Sequence, residues 1–106
     1  MAKYMLRAGY SREGLSGLLK EGGSGRRAAL AETIEAAGGT LEAFYYAFGE
    51  SDLYMIADLP DDASAAAVSL AISAVGAIHV SITVLITPET VDEAVAKSVS
   101  YRAPGA

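Results

Sequence analysis

An α+β fold, with one antiparallel sheet carrying helices on one face, is predicted from three observations. The first is the stretch Thr40–Leu59, TLEAFYYAFGESDLYMIADL, where two runs rich in aromatic and apolar residues meet at Gly49-Glu50-Ser51. Apolar residues this dense, split by a glycine-containing turn and lacking 3.6-residue spacing, form a β-hairpin rather than a helix. The second is strict alternation on either side of that hairpin. Tyr4, Leu6, Ala8 and Tyr10 share one face of a strand, and Val80, Ile82, Val84 and Ile86 share one face of another. The third is that the segments joining these strands to the hairpin carry helical spacing and helix-forming residues.

The elements follow in order. Lys3–Tyr10 is the first strand, with Lys3, Met5, Arg7 and Gly9 on its second face. Ser11 is a helix N-cap, and Leu15, Leu18 and Leu19 form an apolar stripe after it. Gly22-Gly23-Ser24-Gly25 interrupts that helix. Ser24 is positioned to cap a second segment through Ala28, Leu30, Ala31, Ile34 and Ala37, which Gly38-Gly39 ends. In the hairpin's first strand, alternation puts Leu41, Ala43, Tyr45 and Ala47 on one face. Glu42, Phe44, Tyr46 and Phe48 take the other. In its second strand, Leu53, Met55, Ala57 and Leu59 oppose Asp52, Tyr54, Ile56 and Asp58. Pro60-Asp61-Asp62 opens a helix with negative charge at its N-terminal dipole, and Gly76 stops it. His79–Ile86 is the fourth strand. Thr87 caps a last helix with Pro88 at its first position and Val91, Ala94, Val95 and Val99 on one side. The order β-α-β-β-α-β with a terminal helix is the ferredoxin-like arrangement. Residues 1–99 are predicted to form a single domain, and residues 100–106 a flexible tail.

Composition narrows the function classes. There is no cysteine, which excludes disulfides, thiolate catalysis and cysteine metal sites, and the single histidine excludes a multi-histidine centre. No metal and no cofactor are predicted. The net charge is −5 and Arg26-Arg27 is the sole basic pair, so no nucleic-acid partner is predicted. Ala63–Ile86 lacks Asp, Glu, Lys and Arg over a length that could span a bilayer. Its halves differ, however: an alanine-rich helix former precedes a β-branched alternating strand, so no membrane segment is predicted. MAKYMLRAGYSREG has no apolar leader pattern, and a cytoplasmic location is predicted. A 52% hydrophobic fraction exceeds what a lone small monomer needs to bury. The sheet's second face holds Tyr, Ile, Leu and Ala, so a homodimer or higher oligomer through that face is predicted.

KYMLRAGYSREGLSGLLKEGGSGRRAAL, then GGTLEAFYYAFGESDLYMIADLPD, then the ITPE turn, resemble the small bacterial GYD-domain proteins over nearly the whole chain. Residues Gly49, Ser51 and Asp52 correspond to the Gly-Tyr-Asp signature, with Ser in place of Tyr. The resemblance implies a dimeric α/β barrel, in agreement with the face-burial argument. It implies no particular reaction. Related folds include cofactor-free monooxygenases, isomerases, haem-binding enzymes and plain ligand binders, and fold does not give function.

Several side chains are candidates for chemistry. His79 is the only imidazole and suits general acid–base work near neutrality, against the plainer reading of a strand-start histidine. A desolvated Asp52 would have a raised pKa and could act as a base, against a role in fixing the hairpin turn. Asp52 and His79 are therefore the catalytic candidates. Tyr10, Tyr45, Tyr46 and Tyr54, with Tyr4, offer apolar wall plus one hydrogen bond each, which suits a small aromatic ligand. Arg7 lies mid-strand and needs a partner, which Glu42, Asp58 or a ligand carboxylate would supply. These make the ligand-binding candidates Arg7, Tyr10, Tyr45, Tyr46 and Tyr54. Gly22–Arg27 resembles an anion cradle but lacks the P-loop Lys-Ser/Thr, and a kink between helical segments is the plainer reading. A small-molecule-binding protein is the leading expectation. The alternatives are a cofactor-independent isomerase or monooxygenase-like enzyme, and a structural assembly protein.

Overall fold

In the computed structural model the chain runs β1 (Ala2–Tyr10), α1 (Arg12–Ala36), β2 (Thr40–Tyr46), β3 (Leu53–Leu59), α2 (Asp62–Val75), β4 (Ile78–Leu85) and α3 (Pro88–Ala96), and all 106 residues are described. The sheet order is β2-β3-β1-β4 and every pairing is antiparallel. This is the ferredoxin-like arrangement predicted from the sequence. The uncharged stretch resolves into α2, Gly76 and β4, and no helix is long and apolar enough to cross a membrane.

Alternation decides which side of the sheet is dry. Tyr4, Leu6 and Ala8 of β1, Leu53, Met55, Ala57 and Leu59 of β3, and Ile78 and Val80 of β4 are all buried on the helix-covered face. Leu30 and Ile34 of α1 and Ala65 and Val68 of α2 close the same cluster. Burying each of the larger aliphatic side chains contributes about 1.5–3 kcal/mol. Tyr4 is buried with its hydroxyl donating to Asp62 Oδ1 at 2.6 Å, so even the polar end of this core residue is satisfied.

The helix ends follow the chemistry read from the sequence. Ser11 Oγ accepts the Gly14 N–H, Asp61 Oδ1 accepts the Ser64 N–H, and Thr87 Oγ accepts the Thr90 N–H. The Ser64 N–H, then its hydroxyl, hold the Asp61 carboxyl below its ordinary pKa. Gly76 closes α2 in the left-handed conformation. The glycine-rich interruption is a kink inside α1, where Gly22 has φ 79° and ψ 167°. Past the kink, Leu30 and Ile34 lie on the sheet. Before it, Leu15 and Leu19 stay exposed, so the predicted stripe of the first segment does not reach the core. The second helical segment is present, but its break falls at Gly22, two residues before Ser24, so Ser24 lies inside it and does not cap it.

Two further expectations are corrected. The β2–β3 register shifts between Leu41 and Ala43, a β-bulge that defeats simple alternation in β2. Leu41 therefore joins Phe44 and Tyr46 on the helix face, opposite Ala57, Met55 and Leu53. Ala43 and Tyr45 face the open side, opposite Ile56 and Tyr54. Glu42 points the same way and meets Lys3 instead of sharing a face with Phe44. The second correction concerns Arg7. Glu42 and Asp58 both bond Lys3 Nζ, at 2.5 and 3.0 Å, and neither pairs with Arg7. Those two hydrogen bonds, Glu42 first, raise the pKa of Lys3.

Candidate functional site

The sequence offered one set of tyrosines, and the sheet divides it. Tyr10 and Tyr46 stand on the helix face, while Tyr45 and Tyr54 pair across β2 and β3 on the open face. Two candidate sites result, one on each side of the sheet.

The helix-side site is a half-open cleft between α1 and α2 with a volume of about 360 Å³. Its apolar lining comes from Ala29 and Leu30 of α1, Ala71, Ile72 and Val75 of α2, and Ile78 of β4. Tyr10 borders it, and its hydroxyl oxygen is buried without any hydrogen-bond partner. Glu13, Glu21 and Arg26 stand around it, with Arg26 Nη1 held 3.5 Å from Glu21 Oε2. Thr33 also lines the cleft but donates its hydroxyl to Ala29 O. The cleft exists because α1 leaves β1 through Ser11, whose N–H and hydroxyl both donate to Ala77 O, at 3.0 and 3.1 Å. Those bonds clamp the start of α1 to the entry of β4. Beyond the clamp, α1 packs chiefly over β2 and α2 over β4, and the helices diverge over β1.

Tyr46 marks the β2 end of this side. Its ring meets Phe44 edge-on with centroids 5.3 Å apart, and its hydroxyl donates to Gly23 O at 3.0 Å. A side chain at Gly23 would press on that ring, so the kink of α1 lies directly against β2. Burial, and next the neighbouring Tyr10 phenol, push Tyr46 up to about pKa 12 despite Arg26 and Arg27, which act the other way. The hydrogen bond to Asp62, then burial, push Tyr4 to about 12 as well. A phenol raised in the folded state favours folding while it keeps its proton. The stability it contributes is therefore complete below about pH 10, the unfolded value, and is lost as pH rises towards 12. Alkaline absorbance titration should show two of the six tyrosines ionising late, with the Tyr4→Phe and Tyr46→Phe variants each removing one. Two late phenols that persist in both variants would contradict this assignment.

The open-face site centres on Arg7. Tyr54 lies directly across from it on β3 and Ser81 directly across on β4. Its Nε is buried and has no partner. His79 is exposed and pairs across β4 with Gly9. Asp52 approaches the same glycine from the β3 side, and its Oδ2 accepts the Tyr10 N–H at 2.9 Å. A strand thus lies between Asp52 and His79, which puts their backbones roughly 10 Å apart. Asp52 also ties the hairpin to its neighbour through its own backbone: its N–H donates to Ala8 O, and its carbonyl accepts from the Ala47 N–H. No three His, Asp or Glu side chains converge as metal ligands anywhere in the chain.

The cleft itself was not legible in the sequence. Most of its lining is Ala, Gly, Val and Ile at positions that read as ordinary core or surface. Of the lining residues, Tyr10 and Arg26 carried a signal. Comparison with known proteins bears on the whole chain: a family model, the GYD domain, matches residues 4–95. No curated protein and no solved structure matches.

Proposed function

Since the chain belongs to the GYD domain family, a membership that brings no reaction with it, we propose from its geometry that it is a homo-oligomeric protein that binds a small organic molecule in the cleft between α1 and α2. The observation that carries this reading is an apolar cleft of about 360 Å³ bordered by Tyr10, whose buried hydroxyl has no partner in the chain. Small-molecule sites typically span 300–1,000 Å³ and combine apolar walls with few polar groups. A buried hydroxyl without a partner costs about 1–3 kcal/mol. A ligand bringing one acceptor or donor to that point, with an apolar body along Leu30, Ile72 and Ile78, removes the deficit.

Support for the oligomer comes from the surface. Leu15, Leu19, Val95 and Val99 are exposed, no residue of α3 is buried, and Met5, Ile56 and Leu85 line an uncovered sheet face.

Tyr10→Phe tests the reading because it removes only the hydroxyl. The free protein should gain about 1 kcal/mol of stability in denaturant unfolding, as an unsatisfied buried group disappears. Thermal upshifts with a panel of phenols and aromatic ketones should shrink in the variant. Ala71→Leu, which fills the cleft, should abolish them. Equal upshifts in wild type, Tyr10→Phe and Ala71→Leu would remove the cleft as the binding site.

A further inference from the structure

The geometry points to a second binding site, on the opposite side of the sheet from the cleft: Arg7, walled by Tyr54 and Tyr45, receives the carboxylate of a small aromatic acid. Arg7 lies on β1, one of the two central strands of the sheet, and its guanidinium makes no ion pair in the chain. Its buried Nε–H has no acceptor, although burying a donor without one is costly. Lys3 on the same strand face holds two carboxylates, so the open face pairs its outer cation and leaves its central one free.

The neighbouring carboxylates are already engaged. Glu42 and Asp58 bond Lys3, and Asp52 accepts the Tyr10 N–H. A second copy stacked on this face would bring the same residues with the same engagements. The missing anion is therefore assigned to a ligand, and its supply by a partner subunit is an outcome that the test separates. The planar guanidinium fork matches a carboxylate in two parallel hydrogen bonds better than it matches a spherical ion. Its surroundings select the rest of the molecule. Tyr54 lies beside Arg7, and Tyr45, which is 72% exposed, extends the aromatic wall outward from it. On the other side Ser81 offers a hydroxyl, and Gly9 next to Arg7 along β1 adds no side chain, with Asp52 Oδ2 bordering its position. An aromatic ring bearing one carboxylate fits this arrangement, and it does not depend on the cleft being a binding site.

The test follows the Arg7 Nε–H and the backbone amides by heteronuclear NMR while benzoate is titrated into the full-length protein. Benzoate is expected to shift Arg7 Nε–H and the amides of Tyr54 and Ser81, leaving Leu30 and Thr33 of the cleft unmoved. Neutral benzamide should produce no such shifts. Arg7→Met should abolish the benzoate response, and Arg7→Lys, which loses the fork, should weaken it by roughly tenfold. The proposal is overturned if benzoate leaves Arg7 unmoved or if the response survives in Arg7→Met. Inorganic phosphate acting as strongly as benzoate would also overturn it, because the aromatic wall would then select nothing. A loss of subunits in Arg7→Met by native mass spectrometry, without a benzoate response in wild type, would assign the guanidinium to the oligomer instead.

Discussion

Gly14→Ala should destabilise the protein by about 3 kcal/mol, although alanine ordinarily stabilises a helix relative to glycine by roughly 0.5–1 kcal/mol. The sign is set by Ala77. A Cβ at Gly14 would fall well inside van der Waals contact of Ala77 O and 3.0 Å from Tyr10 Cδ1. The carbonyl cannot retreat freely, because it accepts both the N–H and the hydroxyl of Ser11. Moving it breaks the clamp that joins the start of α1 to β4, and it disturbs the helix cap, since Ser11 Oγ also accepts the Gly14 N–H. Gly17→Ala is the matched control. It lies one turn further along the same helix, with nothing within 4 Å of an added Cβ. That variant should gain about 0.5–1 kcal/mol. Denaturant unfolding of the pair reads the difference directly. Two variants with the same sign would show that the Ala77 contact relaxes without cost.

That pair also shows where sequence reasoning ends. Gly14 and Gly17 look alike in the chain, as two glycines in the first turns of one helix, and only the approach of a distant carbonyl separates them. Features set by near neighbours were legible: the caps at Ser11 and Thr87, the stop at Gly76, and the alternation of β1, β3 and β4. Each depends on a few consecutive residues and one periodicity. The bulge in β2 was not legible, because a single extra residue leaves no mark in a run with apolar residues on both faces, yet it changes the face of Leu41 and Glu42. The pairing of Arg7 failed for the same reason. Glu42 and Asp58 were rightly placed near β1, but the choice between Lys3 and Arg7 depends on register. On the candidate sites, the tyrosines were visible as a class. Alternation alone parted Tyr45 from Tyr46, but placing Tyr46 with Tyr10 and Tyr45 with Tyr54 required the register of β2 on β3.

A double substitution, Val91→Glu with Val95→Glu, should leave the folded subunit intact and dissociate the proposed oligomer. Helix α3 buries no residue, and Val91, Val95, Val99 and Tyr101 are all exposed. The radius of gyration, 17.0 Å, well exceeds the roughly 13 Å of a compact chain this long, as an element standing away from the core requires. A nine-residue helix is marginal on its own in water, so an amphipathic one with no intrachain cover gains its stability from an apolar surface elsewhere. The exposed stripe of α1 is such a surface on a second copy. Within one subunit the two valines touch no core, so unfolding of the isolated subunit should change by no more than about 0.5 kcal/mol. Between subunits, each valine buried contributes about 1.5–3 kcal/mol, and a glutamate in its place adds the cost of burying charge. The dissociation constant should then rise at least a hundredfold, which native mass spectrometry across a dilution series reads as a shift to monomer. If the wild-type protein is already a monomer at micromolar concentration, or the double variant keeps the wild-type subunit count, α3 is not an assembly element and the oligomer in the proposed function falls with it.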